Sequence, residues 1–598
     1  MGANQSDPVK EAFVKSASSG TSENRRQLDN AISMTTPRWD HASPYGGRRL
    51  GDDSIRLVRI QPATNDDDPL FCGLIEVAFS SRPQFGALSY RWGTDEASDT
   101  ITLNGCPFMV RRNLHDALVF LRSRHDGNAL ELFWIDAVCI NQDDVAERNR
   151  QVRIMDQIYF RARTVLVWLG SGYAKRPSWE PEDTVGDASE STRAREMVRQ
   201  VQQDKYWTRV WILQEVGRAR HLQVCLWNEF HEWGYFTLLL TENGGRADAG
   251  PLKLDRCLRQ GADEGSLTLK RLLEDHREAE CSDPRDKVYG LLGLASDAAG
   301  FPVDYSKSLY EVWEDTMVFM NARNAFEKGF PGTVGFGTLV KGFLTDAHGD
   351  RHEIPKELKR ARNDHATLDK SDSRIFFLET IPVGLIVAIG PPVETIVSST
   401  SKAAEWRNAI QAVFRAAERL PALREYDELV SSLIDCDGSQ VDAMAFGRPG
   451  DCIWRLSPNE VRPVFRGDVR EVLKQQRSGA RRKGAAASAK PVVYLAQQPG
   501  GRDTERKMGV APGLAEEGDV VCCVKGSRRA VLARVVKCRE WGPHEARVHV
   551  RAFGTVSTTE GMRVRSPVLG PSTWRELAHN TKQLNVSVDA ATLYMLAG

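Results

Sequence analysis

From Ile55 onward, short apolar runs alternate with stretches of helical periodicity, the pattern of a parallel sheet whose strands are joined by crossover helices. Residues 85–90 (FGALSY) read as a strand that ends in Arg91-Trp92-Gly93. The run ITLNGCPFMV sets Asn104-Gly105 between two apolar stretches and predicts a hairpin. Asn113 is placed to cap a helix whose Leu114, Ala117, Leu118 and Leu121 share one face, with Asp116 completing a reciprocal cap. Residues 132–139 (LFWIDAVC) read as a second core strand with one charge, Asp136, and with Trp134 buried between Phe133 and Ile135. Val152, Met155, Tyr159 and Ala162 mark the next helical stripe, and residues 164–169 (TVLVWL) the next strand. A polar, proline-containing stretch at 171–190 reads as a surface insertion, and a strand is expected near 221–226.

Downstream the rhythm changes. Residues 236–325 read as helical, with Pro284 in the first turn of a helix opened by Ser282-Asp283-Pro284-Arg285. Residues 380–393 are apolar but broken by Pro382, Gly384, Gly390, Pro391 and Pro392, and read as a strand pair with a turn. This stretch falls short of the ~20 residues of a membrane-spanning helix. Ala403, Trp406, Ile410, Val413, Phe414 and Ala417 mark an amphipathic helix. The expected organisation is a disordered tail at 1–50, an α/β domain at 51–235, a helical region at 236–325, a mixed α/β region at 326–470, a basic flexible linker at 471–490 and a small β-rich module at 491–598. That last module, with runs such as VVYLA, DVVCCV and AVLARVV, is expected to be an antiparallel barrel or sandwich.

Composition adds exclusions. The 598 residues hold 80 basic and 80 acidic side chains, a balance that argues against gripping nucleic acid through bulk charge. Hydrophobic residues make up 41%, the range of a globular chain. Eleven scattered cysteines, several in apolar runs, predict free thiols in a reducing compartment, and no apolar leader core follows Met1, so the expected location is cytoplasmic. The start MGANQS matches the acylation pattern with Gly2 as the modified amine, or matches it by chance; a single acyl chain would give only weak, peripheral membrane association.

The chemistry is sparse. Zinc-protease, paired Cys-x-x-Cys, Walker and nucleophile-elbow motifs are all lacking, so no metal site is expected and no resident cofactor. What stands out is a group of polar residues after core strands: Ser89, Arg91, Trp92 and Gly93 after the first, and Asp136 and Asn141, with Gln142, after the second. In an open parallel sheet, loops leaving the carboxyl ends of strands line the ligand crevice. The alternative is structural, with Asp136 capping a helix that begins near 143 and the tryptophans in the core.

Taken together and in order, ALSYRWG, NLHDALVFLR, FWIDAVCINQDDVAERNRQVRIMDQIY, VLVWLG and RVWILQEV resemble the fungal heterokaryon-incompatibility (HET) domain. The later DPRDKVYGLLGLA resembles a segment that accompanies it. The resemblance implies a nonself-recognition protein that triggers programmed cell death, acting with an incompatibility partner or as a homo-oligomer. HET domains are in turn distantly similar to TIR domains, which implies a TIR-like, flavodoxin-like parallel sheet. Some TIR domains cleave NAD, so NAD would be a substrate and the chain an NAD nucleosidase. The segment RVWILQEV is similar to the TIR helix in which a tryptophan precedes the catalytic glutamate by four residues, implying Glu215 as catalytic and Trp211, Arg209, Arg91 and Trp92 as NAD-contacting. The structural alternative for Glu215 is an ion pair with Arg209 or Arg218, and the functional alternative is a non-catalytic module that signals by self-association.

Overall fold

A computed structural model describes residues 43–124, 132–174, 188–264, 267–326, 332–344, 373–414, 453–456, 490–497, 506–537, 548–558 and 584–597, less a few single positions within them and with scattered residues between. Gly2, the 1–50 tail up to residue 42 and most of the 471–490 linker lie outside the described residues. Two compact units emerge, one from 1–151, 161–185 and 219–236, the other from 152–160, 186–218 and 237–598.

The first unit is built on a nine-stranded mixed sheet in the order β5-β4-β2-β1-β6-β3-β7-β8-β9. Its strands are β1 Ser54–Ile60, β2 Phe71–Ala78, β3 Gly86–Tyr90, β4 Asp99–Leu103, β5 Cys106–Val110, β6 Phe133–Trp134, β7 Thr164–Trp168, β8 Leu222–Leu226 and β9 Glu229–Glu232. The heart, β6-β3-β7-β8, is parallel throughout. Antiparallel strands flank it: β1 beside β6 on one side and β9 beside β8 on the other. Numbered by their appearance in the chain, the parallel strands lie in the order 2-1-3-4. After β3 the chain moves to one side and then crosses to the other, so the crossover point lies between β3 and β7. All five residues of β3 are buried, as a strand covered on both faces requires.

Local chemistry explains most of these elements. Asn104 and Gly105 carry φ of 52° and 81°, the positive values a two-residue hairpin turn needs, and join β4 to β5. Helix α1, Arg112–Ser123, buries Leu114, Ala117, Leu118 and Leu121 as the periodicity predicts. Its cap position belongs to Arg111, with no side-chain cap bond, so Asn113 does not serve as the expected cap. The second core strand is shorter than expected. Only Phe133 and Trp134 pair in the sheet, and Asp136–Cys139 form a short helix, α2, closed by the Cys139 N–H donating to the Ile135 carbonyl at 2.7 Å. Helix α3 Val145–Arg153, all but its last two residues, and α5 Ser171–Ala174 belong to this unit, while α4 Met155–Arg161, all but its last residue, belongs to the second.

The second unit holds α6 Ala188–Gln202, α7 Val210–Gly217, α8 Gly250–Glu264, α9 Leu269–Asp275, α10 Asp286–Leu292, α11 Leu309–Ala322 and α12 Gly332–Phe343, and an antiparallel sheet. That sheet joins β10 Ile375–Pro392, β11 Ile453–Leu456, β12 Val492–Gln497, β13 Arg506–Ala511, β14 Val520–Val524, β15 Ala530–Lys537, β16 Val548–Thr558 and β17 Leu584–Asp589. Pairing of β15 with β16 closes six strands, β16-β13-β12-β10-β14-β15, into a ring. The stretch expected as a strand pair is instead one long strand, β10, whose pairing with β14 shifts between Pro382 and Gly384. Proline has no N–H for the ladder, so the strand bulges there rather than turning back. Strand β12 shows the period of two: Val492, Tyr494 and Ala496 join one apolar cluster, while Val493 and Leu495 join another that includes Val393, Ile396 and Ile410. No helix among the described residues is long and apolar enough to cross a membrane.

Candidate functional site

The loop that follows β3 is fastened from three directions. The Trp92 indole N–H donates to Asp136 Oδ2 at 2.9 Å, which fixes the plane of the ring. Arg111 donates to the Gly93 carbonyl at 2.7 Å, and its guanidinium carbon lies 5.8 Å from the centre of the Trp92 ring, in cation–π range. Asn113 donates to the Arg91 carbonyl at 2.7 Å and accepts the Trp168 indole N–H at 3.0 Å. Since Arg91 follows β3 and Trp168 ends β7, Asn113 ties together the carboxyl ends of the two strands that flank the crossover point. Its second hydrogen bond satisfies a tryptophan that is almost wholly buried.

Replacing Asn113 with Ala removes both bonds and leaves the Trp168 N–H buried without its acceptor. The expected cost is about 1–3 kcal/mol, read as a lower midpoint in urea with an unchanged slope. An unchanged midpoint would show that the two strand ends do not depend on this side chain.

The neighbouring loop after β6 is pinned by a buried ion pair. Arg56 and Glu147 meet through two bonds, at 2.5 and 3.0 Å, both side chains nearly excluded from water. Glu147 also accepts the Asn141 N–H at 2.7 Å, and Arg56 donates to the Cys139 carbonyl at 3.2 Å. The Tyr45 hydroxyl donates toward the carbonyls of Val138 and Ile140 at 3.2 and 3.3 Å. The Asn141 side chain accepts the Asp143 N–H at 3.3 Å, and Gln142 donates to the Asp136 carbonyl at 3.0 Å. Burial pushes the Cys139 thiol up to about 12, so it is a packed core thiol rather than a nucleophile.

The sequence-predicted residues divide accordingly. Trp92 and Asp136 come together, and Arg91 and Gly93 share their loop, all four half-buried. Asn141 shapes the adjoining turn. Ser89 is 0% exposed and belongs to the interior of β3, paired in register with Val167, rather than to an open rim. Asp136 does not cap the helix near 143: its carboxylate serves Trp92 and α2, and the N–H of Glu147 is instead accepted by Asp144 at 3.0 Å.

Arg209, Trp211 and Glu215 belong to the second unit. Arg209 precedes α7 as its cap residue, Trp211 is half-buried, and Glu215 is 1% exposed. Gly290 of α10 comes close to Val210 and Trp211, while Arg218, just past the helix, donates to the Gly293 carbonyl and lies 3.7 Å from Asp156. Among the described residues no group of three or more His, Cys, Asp or Glu could hold a metal ion.

Arg111, Asn113, Trp168 and the Arg56–Glu147 pair are the residues that sequence reasoning missed. Asn113 carried a visible signal, a polar residue opening a helix, but the signal points equally to a cap.

Residues 85–215 match the family model described as Heterokaryon incompatibility protein (HET), and the chain carries a HET domain there. It is similar to Heterokaryon incompatibility protein 6, OR allele, of Neurospora crassa, with 39% identity over 155 residues. That match covers 24% of this chain and spans only 23% of the curated relative's length. No solved structure matches the chain significantly.

Proposed function

We propose that this chain is a fungal nonself-recognition protein whose HET domain executes cell death by cleaving NAD, with Glu215 as the catalytic carboxylate. The match of residues 85–215 to the HET family carries the cell-death part of the reading, and the printed name of the Neurospora relative agrees with it. The strand order 2-1-3-4 supports the TIR-like part, because it matches the first four places of the flavodoxin order 2-1-3-4-5, in which ligands bind beyond the carboxyl ends of the strands where the order reverses.

The chemistry asks little of the protein. The bond between ribose C1′ and the nicotinamide nitrogen breaks with its electron pair going to the positively charged ring, so nicotinamide leaves neutral and needs no general acid. Water adds to the ribosyl cation, giving ADP-ribose and a released proton. A carboxylate stabilises that cation, as in glycosidases. Within the first unit, Trp92, its plane set by Asp136, offers a flat face for stacking and Arg91 a bidentate partner for a pyrophosphate; Arg209 and Trp211, next to Glu215 in the sequence, offer the same chemistry in the second.

A second reading, a non-catalytic module that acts by self-association, is favoured by one observation: the 1% exposure of Glu215. The experiment that separates them incubates the purified full chain with NAD at concentrations that favour assembly. Nicotinamide and ADP-ribose should accumulate in proportion to protein. Assembly without NAD loss would leave the scaffold reading. The same reading puts the protein in the cytoplasm, held weakly at membranes if Gly2 is acylated; a Gly2→Ala variant that fractionates as wild type would reject the lipid anchor.

A further inference from the structure

Helix α7 is eight residues long, too short to persist without tertiary support. Both of its ends are held by the stretch 280–293, which lies outside the HET match. At its start the backbone runs parallel to Glu280: the Val210 N–H donates to the Glu280 carbonyl at 2.9 Å and the Glu280 N–H to the Thr208 carbonyl at 2.5 Å. The Thr208 hydroxyl adds a bond to the Glu280 carboxylate at 3.0 Å. At its end both backbone groups of Gly293 are gripped. The Gly293 N–H donates to Gln214 Oε1 at 3.2 Å, and the Gly293 carbonyl accepts from Arg218 Nε at 2.6 Å.

The approach is close enough to demand glycine. A Cβ at Gly293 would stand 2.4 Å from Gln214 Oε1 and 2.5 Å from Asp156 Cβ, and one at Gly290 would stand 3.1 Å from Val210 Cγ1. Burial raises the pKa of the Asp156 carboxyl against the lowering effect of Arg218, which marks the environment of this clasp as partly dry. The residue next to Gln214 in the helix is Glu215, sealed from solvent. A carboxylate so placed cannot meet a substrate until the helix moves, and the bonds to 280–293 are among those that such a movement must break.

We propose that residues 280–293 form a brace that holds α7 in the position where its Glu215 is sealed from solvent, and that releasing the brace switches the domain on. The brace is a property of the fold; its role as a switch rests on the NAD-cleaving reading. Arg218 is the point to test, because its side chain is 40% exposed and its replacement leaves no buried gap.

In the full chain, Arg218→Gln removes the charge-assisted bond to Gly293, so amide exchange across 210–217 should quicken about 10-fold or more while β3 stays protected. Turnover of NAD by the same preparation should rise by a similar factor, an outcome that partial unfolding cannot imitate. Gly293→Ala, which forces α7 and the brace apart from the other side, should act in the same direction. Unchanged protection of 210–217 in both variants would overturn the brace. Lost protection with NAD turnover at or below that of wild type would overturn the switch. Lost protection with no NAD consumption in any protein, wild type included, would support the brace and sink the NAD-cleaving reading instead.

Discussion

Truncating Trp134 to Ala is expected to cost about 3–5 kcal/mol and to abolish soluble expression of the chain. Trp134 is 0% exposed and occupies the two-residue strand β6, where it pairs in register with Ala87 of β3 while its neighbour Phe133 bridges Val58 and Gly86. So short a strand offers few backbone bonds of its own, and its place between β1 and β3 depends on the side chains packed around it. Losing the indole opens a cavity at the junction of the parallel heart with its antiparallel flank. Typical domains are stable by only about 5–15 kcal/mol, so a loss of this size removes a large share of the total. Expression and urea unfolding of the variant provide the check. A soluble variant with a midpoint near that of wild type would show that β6 does not pin the sheet.

Several parts of this arrangement were legible in the sequence because their causes are local. Strand β3, the Asn104-Gly105 hairpin and the buried face of α1 each follow from a short pattern with one good solution. The run LFWIDAVC was misread for an equally physical reason: an apolar stretch buried on all sides has no periodicity to separate strand from helix. The feature that ends the strand, a turn closed on the Ile135 carbonyl, is invisible in a hydropathy pattern. Residues 380–393 read as two strands, where the structure has the single strand β10, because prolines and glycines punctuate loops more often than they mark bulges in a long strand.

In the site, the residue types after the strands pointed to Trp92 and Asp136 as residues of one rim, but neither their hydrogen bond nor what holds it showed. Asn113 reaches Trp168 across 55 positions and Arg56 meets Glu147 across 91, and no local rule links such partners. Nor did the spacing of Trp211 and Glu215 show that the glutamate would be sealed from solvent: its helix packs against residues far along the chain, such as Gly293, 79 positions beyond Gln214.

Replacing Glu215 by Gln is expected to lower NAD turnover by at least ~100-fold, the scale of losing one electrostatic stabiliser of a developing charge. The change keeps the volume and most of the hydrogen-bonding capacity of a side chain that is 1% exposed, so the fold should survive it. What it removes is the carboxylate that, on the NAD-cleaving reading, would meet the developing ribosyl cation once the helix has moved. The same substitution in an Arg218→Gln background should cancel the gain from releasing the brace, which separates chemistry from access.

The most direct measurement expresses wild type and Glu215→Gln in a fungal host and follows cell survival and NAD content together, with exchange protection of β3 confirming that both proteins are folded. The account predicts that wild type depletes NAD and kills, and that the folded Gln variant does neither. A folded Gln variant that kills as well as wild type, with NAD intact in both cultures, would contradict it and leave self-association as the route to death.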